Sequence, residues 1–481
     1  IGNDPKKWAS RVLSYNKIYA TDVYPNIDFE LYEHHGTFKY NFIVKPGGDI
    51  NSIQLEYKGQ DKMELINGEL EITHSLGTFT EKKPLVYQGN EDNEILSNYV
   101  LKDNVLSFEV NNKRNFKQPI IIDPVLVFST YSGSYSDNFG YTATYDDSGN
   151  AYSGGTVFNE DFPNGFPTTP GAFQLLFAGG EVEDMNIGYT QRDCGILKYD
   201  KTGKKLLYAT YIGGSMSNEQ PHSMIVNKND ELLIMGSTKS ADFPAAAAQG
   251  FQTNLAGQSD IFIFKLSSDG TTMLASTFMG GFDFDGLNGD RPSNTITPLL
   301  YNYADDFRGE IIVDTNNNVY VASSTYSSDF PIRNAFDLSY DGGQDGVVFK
   351  MNNELNNLIF SSYIGGSSAD AAYGIDLGTN NDLYIAGGSN SNSFNLLVSG
   401  ITNAFLGGRA DGYLLRINAT TGAALNFTKI GTNNYDQCYF VKTDKYGNPL
   451  VYGQSMGDMP TLGNVYKNDG SKQFIIKFNP N

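Results

Sequence analysis

One short unit recurs along most of the chain and limits its fold more than any bulk property does. It opens on an aspartate, runs through an apolar stretch to a basic residue, turns, and closes on Thr-Tyr-x-Gly-Gly or a near variant. The clearest copy is Asp345–Lys350 followed by Ser362-Tyr363-Ile364-Gly365-Gly366. Others are Asp193–Lys198 with Thr210-Tyr211-Ile212-Gly213-Gly214, Asp260–Lys265 with Thr277-Phe278-Met279-Gly280-Gly281, and Asp411–Arg416 with Thr428-Lys429-Ile430-Gly431. A fifth apolar run, Phe474–Lys477, has no Thr-Tyr partner after it. Self-similarity at this period means a repeat architecture, in which each unit buries its apolar face only by stacking on its neighbours.

Each unit reads as four strands. In the fourth they are Tyr373–Leu377, Leu383–Ala386, Tyr413–Ile417 and Leu425–Lys429. A short polar turn joins the first two strands of every unit: Asp146–Asn150, Asn227–Glu231, Asp314–Asn318, Gly378–Asp382 and Asp444–Asn448. Four strands joined as a meander make a propeller blade. The last unit lacks a fourth strand, whereas Leu126–Tyr131 is a fourth strand with no third strand before it. Pairing that stretch with 474–478 would close the ring and leave no unfinished blade at the seam. The expectation is an all-β chain with a five-bladed β-propeller of four-stranded blades over 125–481.

Residues 1–124 carry no copy of the unit. They alternate apolar and polar residues over Asp28–Tyr32, Phe38–Val44, Ser52–Tyr57, Met63–Ile66, Leu70–His74, Leu85–Gln88 and Val105–Val110, with Asn67-Gly68 and Lys102–Val105 as tight turns. A β-sandwich-like domain is expected there, and Pro119–Pro124 reads as a short stiff joint to the repeats. The 31 Tyr, 31 Phe and 51 Gly suit many short strands and turns. A net charge of −20 argues against nucleic acid, whose phosphates demand a clustered basic surface. No apolar run is long enough for a spanning helix. The start at Ile1 reads as that of a processed or excised piece.

Tyr24–Asp28, Lys45-Pro46-Gly47, Lys83–Tyr87, Ile122-Asp123-Pro124 and the Ser/Thr-Tyr-Ile-Gly-Gly units together resemble bacterial proteins with SBBP-type β-propeller repeats. The resemblance covers nearly the whole chain. It implies a β-rich domain ahead of the propeller, a source in the Bacteroidota, and an extracellular or outer-membrane-surface location. It also implies export by the type IX secretion system, in a cargo family associated with gliding motility. On that basis the expected function is a non-catalytic scaffold, adhesion or partner-binding module. Its partner would be a protein or glycan at the cell surface, or an outer-membrane secretion component. The alternatives are a part or cargo of the secretion and motility apparatus, and a carbohydrate-binding or carbohydrate-active propeller.

Hydrolase elbows, phosphate loops, dinucleotide fingerprints and zinc spacings do not occur. His34, His35, His74 and His222 fall outside metal-ligand spacing, and His34-His35 reads as part of a hairpin loop. Glycosidic chemistry needs two carboxylates flanking one bond. The predicted innermost strands show no repeated or paired acid, and alternation turns Asp376 away from the side of Ile375. The Asp-Phe-Pro motif in each link between second and third strands (Asp242-Phe243-Pro244, Asp329-Phe330-Pro331) recurs in every blade, as packing residues do. Two connectors break the repeat. Tyr189 and Arg192 in the first, with Phe284, Arg291, Tyr301 and Tyr303 in the second, are the candidate partner- or glycan-binding rim. Asp283, Asp285 and Asp290 are candidate Ca²⁺ ligands, set against an acidic solvated loop; no other cofactor is expected. Cys194 and Cys438 are read as two buried free thiols rather than a bond.

Overall fold

The computed structural model describes residues 17–479 except 35–36, 59, 67, 75–76, 82, 89–94, 111–118, 124–131, 137, 159–164, 180–190, 202, 248, 289–297, 303–304, 395, 397, 399–403, 464 and 466–469. The described residues are all-β, with only short 3₁₀ turns between strands. Two compact units divide the chain, Ile1–Thr130 and Tyr131–Asn481.

In the first unit a five-stranded sheet runs in the order Lys17–Tyr24, Ile27–His34, Thr37–Val44, Ile120–Asp123, Leu85–Tyr87. Two three-stranded sheets complete it, Leu55–Glu56 with Val105–Val110 and Ser97–Lys102, and Lys62–Ile66 with Glu69–His74 and Gly77–Glu81. Inward side chains of all three, among them Phe42, Leu70, Val86, Leu106 and Phe108, share one core. Asp103 and Asn104 both take positive φ in the turn after Lys102, which suits a tight hairpin. Ile120–Asp123 corrects the expected joint: it pairs with a strand on either side. Three consecutive β-branched residues suit a strand. The expected strand Ser52–Tyr57 is shorter, because Ile50–Ser52 is a 3₁₀ turn and only Leu55–Glu56 pairs.

Among its described residues the second unit contains five antiparallel sheets. The first comprises Asn138–Tyr145, Ala151–Phe158, Arg192–Tyr199 and Leu206–Ile212; the second Glu219–Val226, Leu232–Thr238, Asp260–Leu266 and Met273–Met279. The third is Glu310–Val313, Val319–Thr325, Asp345–Met351 and Leu358–Ile364; the fourth Asp370–Leu377, Asp382–Ser389, Asp411–Asn418 and Ala424–Ile430. Asp436–Thr443, Pro449–Ser455 and Gln473–Lys477 make the fifth. Strand order follows chain order throughout, and each first strand packs beside the first strand of the next sheet. The expected closing strand, Leu126–Tyr131, lies outside the described residues.

Every element of the recurring unit has a local physical task. In the polar turn, Asp146 accepts from the backbone N–H of Asn150 at 2.9 Å, as do Asp314 from Asn318 and Asp444 from Asn448. The basic residue of the third strand reaches back to that turn. Lys198 meets Asp146 at 3.4 Å, Lys265 meets Glu231 at 3.6 Å, Lys350 meets Asp314 at 3.6 Å, Arg416 meets Asp382 at 3.0 Å and Lys477 meets Asp444 at 2.5 Å. Phe243, Phe330 and Phe394 of the link motif are buried against aromatic neighbours, as packing residues should be.

The glycine pair is explained by carboxylates. At the start of the third strands Asp193, Asp260, Asp345 and Asp411 are fully buried, and a Cβ on Gly213, Gly280, Gly365 or Gly431 would run into them. The N–H of the next residue (Gly214, Gly281, Gly366 or Thr432) donates to a second buried acid: Glu219, Asp285, Asp370 or Asp436. Each junction between sheets thus holds two acids around one backbone turn.

The first strands carry a bulge at one common position. Pairing skips Tyr141, His222, Tyr373 and Tyr439 in the first, second, fourth and fifth sheets. In the third sheet the chain leaves at that same place. Asp285 bridges Thr325, the N–H of Gly286 donates to Ser324, and pairing resumes only at Glu310 opposite Ala322. The long connector is therefore an insertion within the third sheet's first strand, not a link between sheets.

Candidate functional site

The inserted segment lies against the bulge residues of all four other sheets. Phe307 meets Tyr141 and His222, with ring centroids 6.1 and 6.2 Å apart. Asn288 donates to the Tyr373 hydroxyl at 3.0 Å, and Asn302 to that of Tyr439 at 2.7 Å. The Arg308 guanidinium sits 4.1 Å from the Tyr439 ring centroid and bonds Asp305 at 2.8 Å. A β-bulge turns one extra side chain out of the ladder, and here the extra side chains form the seat for the insertion.

A cavity of about 310 Å³ opens between this segment and the start of the second sheet. Its walls include Arg192 from the first sheet, Asn218, Glu219 and Gln220 from the second sheet's first strand and its lead-in, and Ser237, Thr238 and Lys239 from the end of its second strand. Leu287, Leu300, Asp306 and Phe307 of the insertion cover it. All of these lie at the end of the sheets that carries the long links.

Glu219 is the junction acid of its sheet. It accepts from Thr238 at 2.8 Å and from the Gly214 N–H at 3.1 Å, and burial pushes its pKa well above the usual carboxylate range. Gln220 is 3% exposed, and its Nε2 has no hydrogen-bond partner. Beneath it, His222 Nε2 meets Ser237 Oγ at 3.1 Å, and burial lowers the imidazole to about 3, leaving it neutral. Lys239 Nζ lies 5.7 Å from the centre of the Phe284 ring.

Of the residues singled out in the sequence, Arg192 lines this cavity, and Phe284 is buried beside it with Leu287 and Tyr326. Tyr301 stacks on Tyr435 at 4.5 Å, away from the cavity wall. Tyr189, Arg291, Tyr303 and Asp290 lie outside the described residues. Asp285 is fully buried and bonded to Thr325, Ser327 and the Gly281 N–H, which makes it a junction acid. The Asp283 carboxylate accepts from the Phe284 N–H at 3.0 Å. Among the described residues no group of three or more His, Cys, Asp or Glu is placed to hold a metal ion. Cys194 and Cys438 are both buried and free.

The expectation of unpaired inner strands is corrected. Glu310 and Asp376, on the first strands of the third and fourth sheets, both meet Lys442 of the fifth, at 2.7 and 3.7 Å. Glu310 also accepts from the Ile375 N–H and Asp376 from that of Thr443, so the two acids tie neighbouring first strands together. Sequence reading missed this pair because Glu310 stands at the edge of its strand, where alternation gives no inward or outward assignment. Gln220, Lys239 and Phe307 were missed as well. Lys239 differs from Tyr326, Asn390 and Met456 at matching positions, whereas Gln220 matches Gln437 of the fifth sheet and Phe307 lies in an insertion without counterparts.

Residues 1–125 match the domain family described as a domain of unknown function (DUF7948). No curated protein matches the chain. Among solved structures, a PL25 ulvan lyase aligns over 73% of this chain and 72% of its own at 10% identity and a TM-score of 0.37. A protein of unknown function from Dyadobacter fermentans aligns over 82% and 96% at 10% identity and a TM-score of 0.35. The NanB sialidase of Streptococcus pneumoniae aligns over 88% and 73% at 7% identity and a TM-score of 0.36. No helix among the described residues is long and apolar enough to cross a membrane.

Proposed function

We propose that the second unit is a five-bladed β-propeller, closed by Leu126–Tyr131 beside Gln473–Lys477, and that it serves as a saccharide-binding module of a secreted or surface protein. The cavity under the insertion carries this reading. In a repeat fold, residues shared by every unit hold the units together, and ligand contacts fall where the repeat is broken. The cavity is walled largely by such breaks. Amide, hydroxyl and charged groups stand beside the Phe307 ring, a mixture suited to sugar hydroxyls on one side and an apolar sugar face on the other. Its volume falls at the small end of ligand pockets, about the size for one or two sugar rings.

Ring closure draws support from the insertion, which reaches the bulge residues of four sheets at once. Cysteines placed in pairs across 126–131 and 473–477 are expected to cross-link under mild oxidation; failure of every pair would reject the closed ring. Binding rather than turnover is the function we infer. Of the two acids at the cavity, Glu219 and Asp306, Glu219 is committed to Thr238 and Gly214, and its counterparts hold the same place at the other junctions. A glycan array probed with the whole chain is expected to show saccharide binding that Phe307→Ala weakens, with no new reducing ends after long incubation. Steady release of reducing ends, abolished by Glu219→Gln, would replace this reading with a carbohydrate-active one. Surface exposure and type IX export follow from the family resemblance and are tested by protease shaving of intact cells that make the parent protein.

A further inference from the structure

Gln220 and Gln437 hold the same place in two sheets. Each follows the junction acid of its sheet, Glu219 or Asp436, and stands two residues before the bulge. In the fifth sheet the insertion satisfies this glutamine: Gln437 Nε2 donates to the Leu299 carbonyl and to the Tyr435 hydroxyl, both at 2.7 Å. In the second sheet the insertion brings no such acceptor. The cavity of about 310 Å³ lies between it and the strand, and Gln220 Nε2 is buried without a hydrogen-bond partner.

Polar side chains beside Gln220 are engaged within the protein. Thr238 donates to Glu219 at 2.8 Å, Ser237 meets His222 at 3.1 Å, and Asn218 accepts from the Arg192 N–H at 3.1 Å. The buried donor of Gln220 is left over. Leaving such a group unsatisfied is costly, so an acceptor brought in by a ligand gains more there than at a solvated amide. On the insertion's side, Leu287, Leu300 and the Phe307 ring offer apolar surface to the same space.

We propose that the cavity selects a saccharide bearing an acetamido group, an N-acetylhexosamine. Its amide carbonyl accepts from Gln220 as the Leu299 peptide carbonyl accepts from Gln437, and its methyl group lies against the apolar side chains of the insertion. This rests on the reading of the cavity as a saccharide site. A hydroxyl in place of the acetamido group would bring neither the projecting carbonyl nor the methyl.

The test is titration calorimetry on the whole chain with paired oligosaccharides, such as the β1,4-linked disaccharides of N-acetylglucosamine and of glucose, which differ only at the acetamido position. The acetamido sugars are expected to bind about tenfold more tightly than their hydroxyl counterparts. Gln220→Leu should remove most of that difference, and Gln220→Met, close in length and without a donor, should do the same. Thermal unfolding of each variant verifies that it is folded. Equal binding of the paired sugars by the unaltered chain, or a full acetamido preference in both variants, would overturn the selection while the saccharide reading stands. If no sugar of either kind binds, both readings fall.

Discussion

Asp345 is buried with no ionic partner, and this sets its chemistry. Burial first, and Asp370 beside it second, push its pKa to about 8; Asp337 and Asp341 add to the rise. Its Oδ1 lacks any hydrogen-bond partner, as do those of Asp193, Asp260, Asp370, Asp411 and Asp436. Asp193 and Asp260 are raised to about 7, mainly by burial. Burial also raises Asp370 and Asp411, but only to about 6: hydrogen bonds from Ser389, Ser391 and the Gly366 N–H oppose it at Asp370, the Leu406 N–H opposes it at Asp411, and the Lys429 ammonium adds to both. Lys429 stands where the other units have Tyr211, Phe278 and Tyr363. The folded chain keeps the Asp345 proton up to about pH 8, whereas an unfolded aspartate loses it near pH 4. Folding takes up protons between those values, so stability is greatest at the acid end and falls as pH rises to about 8. Thermal unfolding should therefore give a higher Tm at pH 5.5 than at pH 8.5. Asp345→Asn should narrow that gap by raising the Tm at pH 8.5. A Tm that rises with pH would contradict this assignment of protons.

The glycine beside each of these acids is fixed by space. A Cβ at Gly280 would stand 2.8 Å from Asp285 Oδ2 and closer still to Asp260, and one at Gly431 would stand 2.9 Å from Asp411 and from Asp436. Gly280→Ala should cost about 1–3 kcal/mol by forcing buried carboxylates apart. Urea unfolding at fixed pH measures this, and a cost within error of zero would show that the acids move freely.

At the scale of the element, the turn and its cation behave as one unit. Lys350 donates to the Ala419 carbonyl at 3.1 Å, lies 4.6 Å from the Tyr320 ring centre and meets Asp314. Removing it by Lys350→Met leaves Asp314 without its counter-charge in a largely enclosed site, a loss of about 3 kcal/mol. The double variant Asp314→Asn, Lys350→Met should recover part of this, since no charge is then left alone. Chemical denaturation of the three variants reads the coupling; strictly additive losses would deny it. This device was legible in the sequence because each part is local or fixed by register. Asp314 and Asn318 are one turn apart, and Lys350 lies opposite Tyr320 on the paired strand. Ile120–Asp123 was not legible as a strand, because its two partners come from distant parts of the chain and its flanking prolines suggest a linker. The interrupted first strand of the third sheet was hidden for a similar reason. Glu310–Val313 is too short to show alternation, and its missing upper half, Phe284–Gly286, sits far back in the sequence. The candidate site was half visible: a connector that breaks the repeat marks where to look, but the facing wall of Gln220 and Lys239 emerges only when strands are superposed by their hydrogen bonds.

For the whole molecule, the insertion is the element that the other sheets have in common. Asn302 binds both Tyr439 and Gln454 at 2.7 Å, Gln437 gives its amide to the Leu299 carbonyl at 2.7 Å, and Arg409 donates to that of Leu300 at 3.1 Å. Loss of this seat should loosen several sheets together. Hydrogen exchange on Asn302→Ala is expected to quicken in the first strand of the fifth sheet and in the insertion, while the outer strands of the second sheet keep wild-type protection. Uniform acceleration throughout the unit would show instead that the substitution lowers global stability.

Because the insertion leaves and re-enters a single strand, both its ends are fixed by one ladder of backbone hydrogen bonds. An exchange of its middle that keeps the seating residues Asn288, Asn302, Phe307 and Arg308 would leave that ladder in place. Related chains could diverge in what they capture through this one replaceable cassette, with the surrounding framework unchanged.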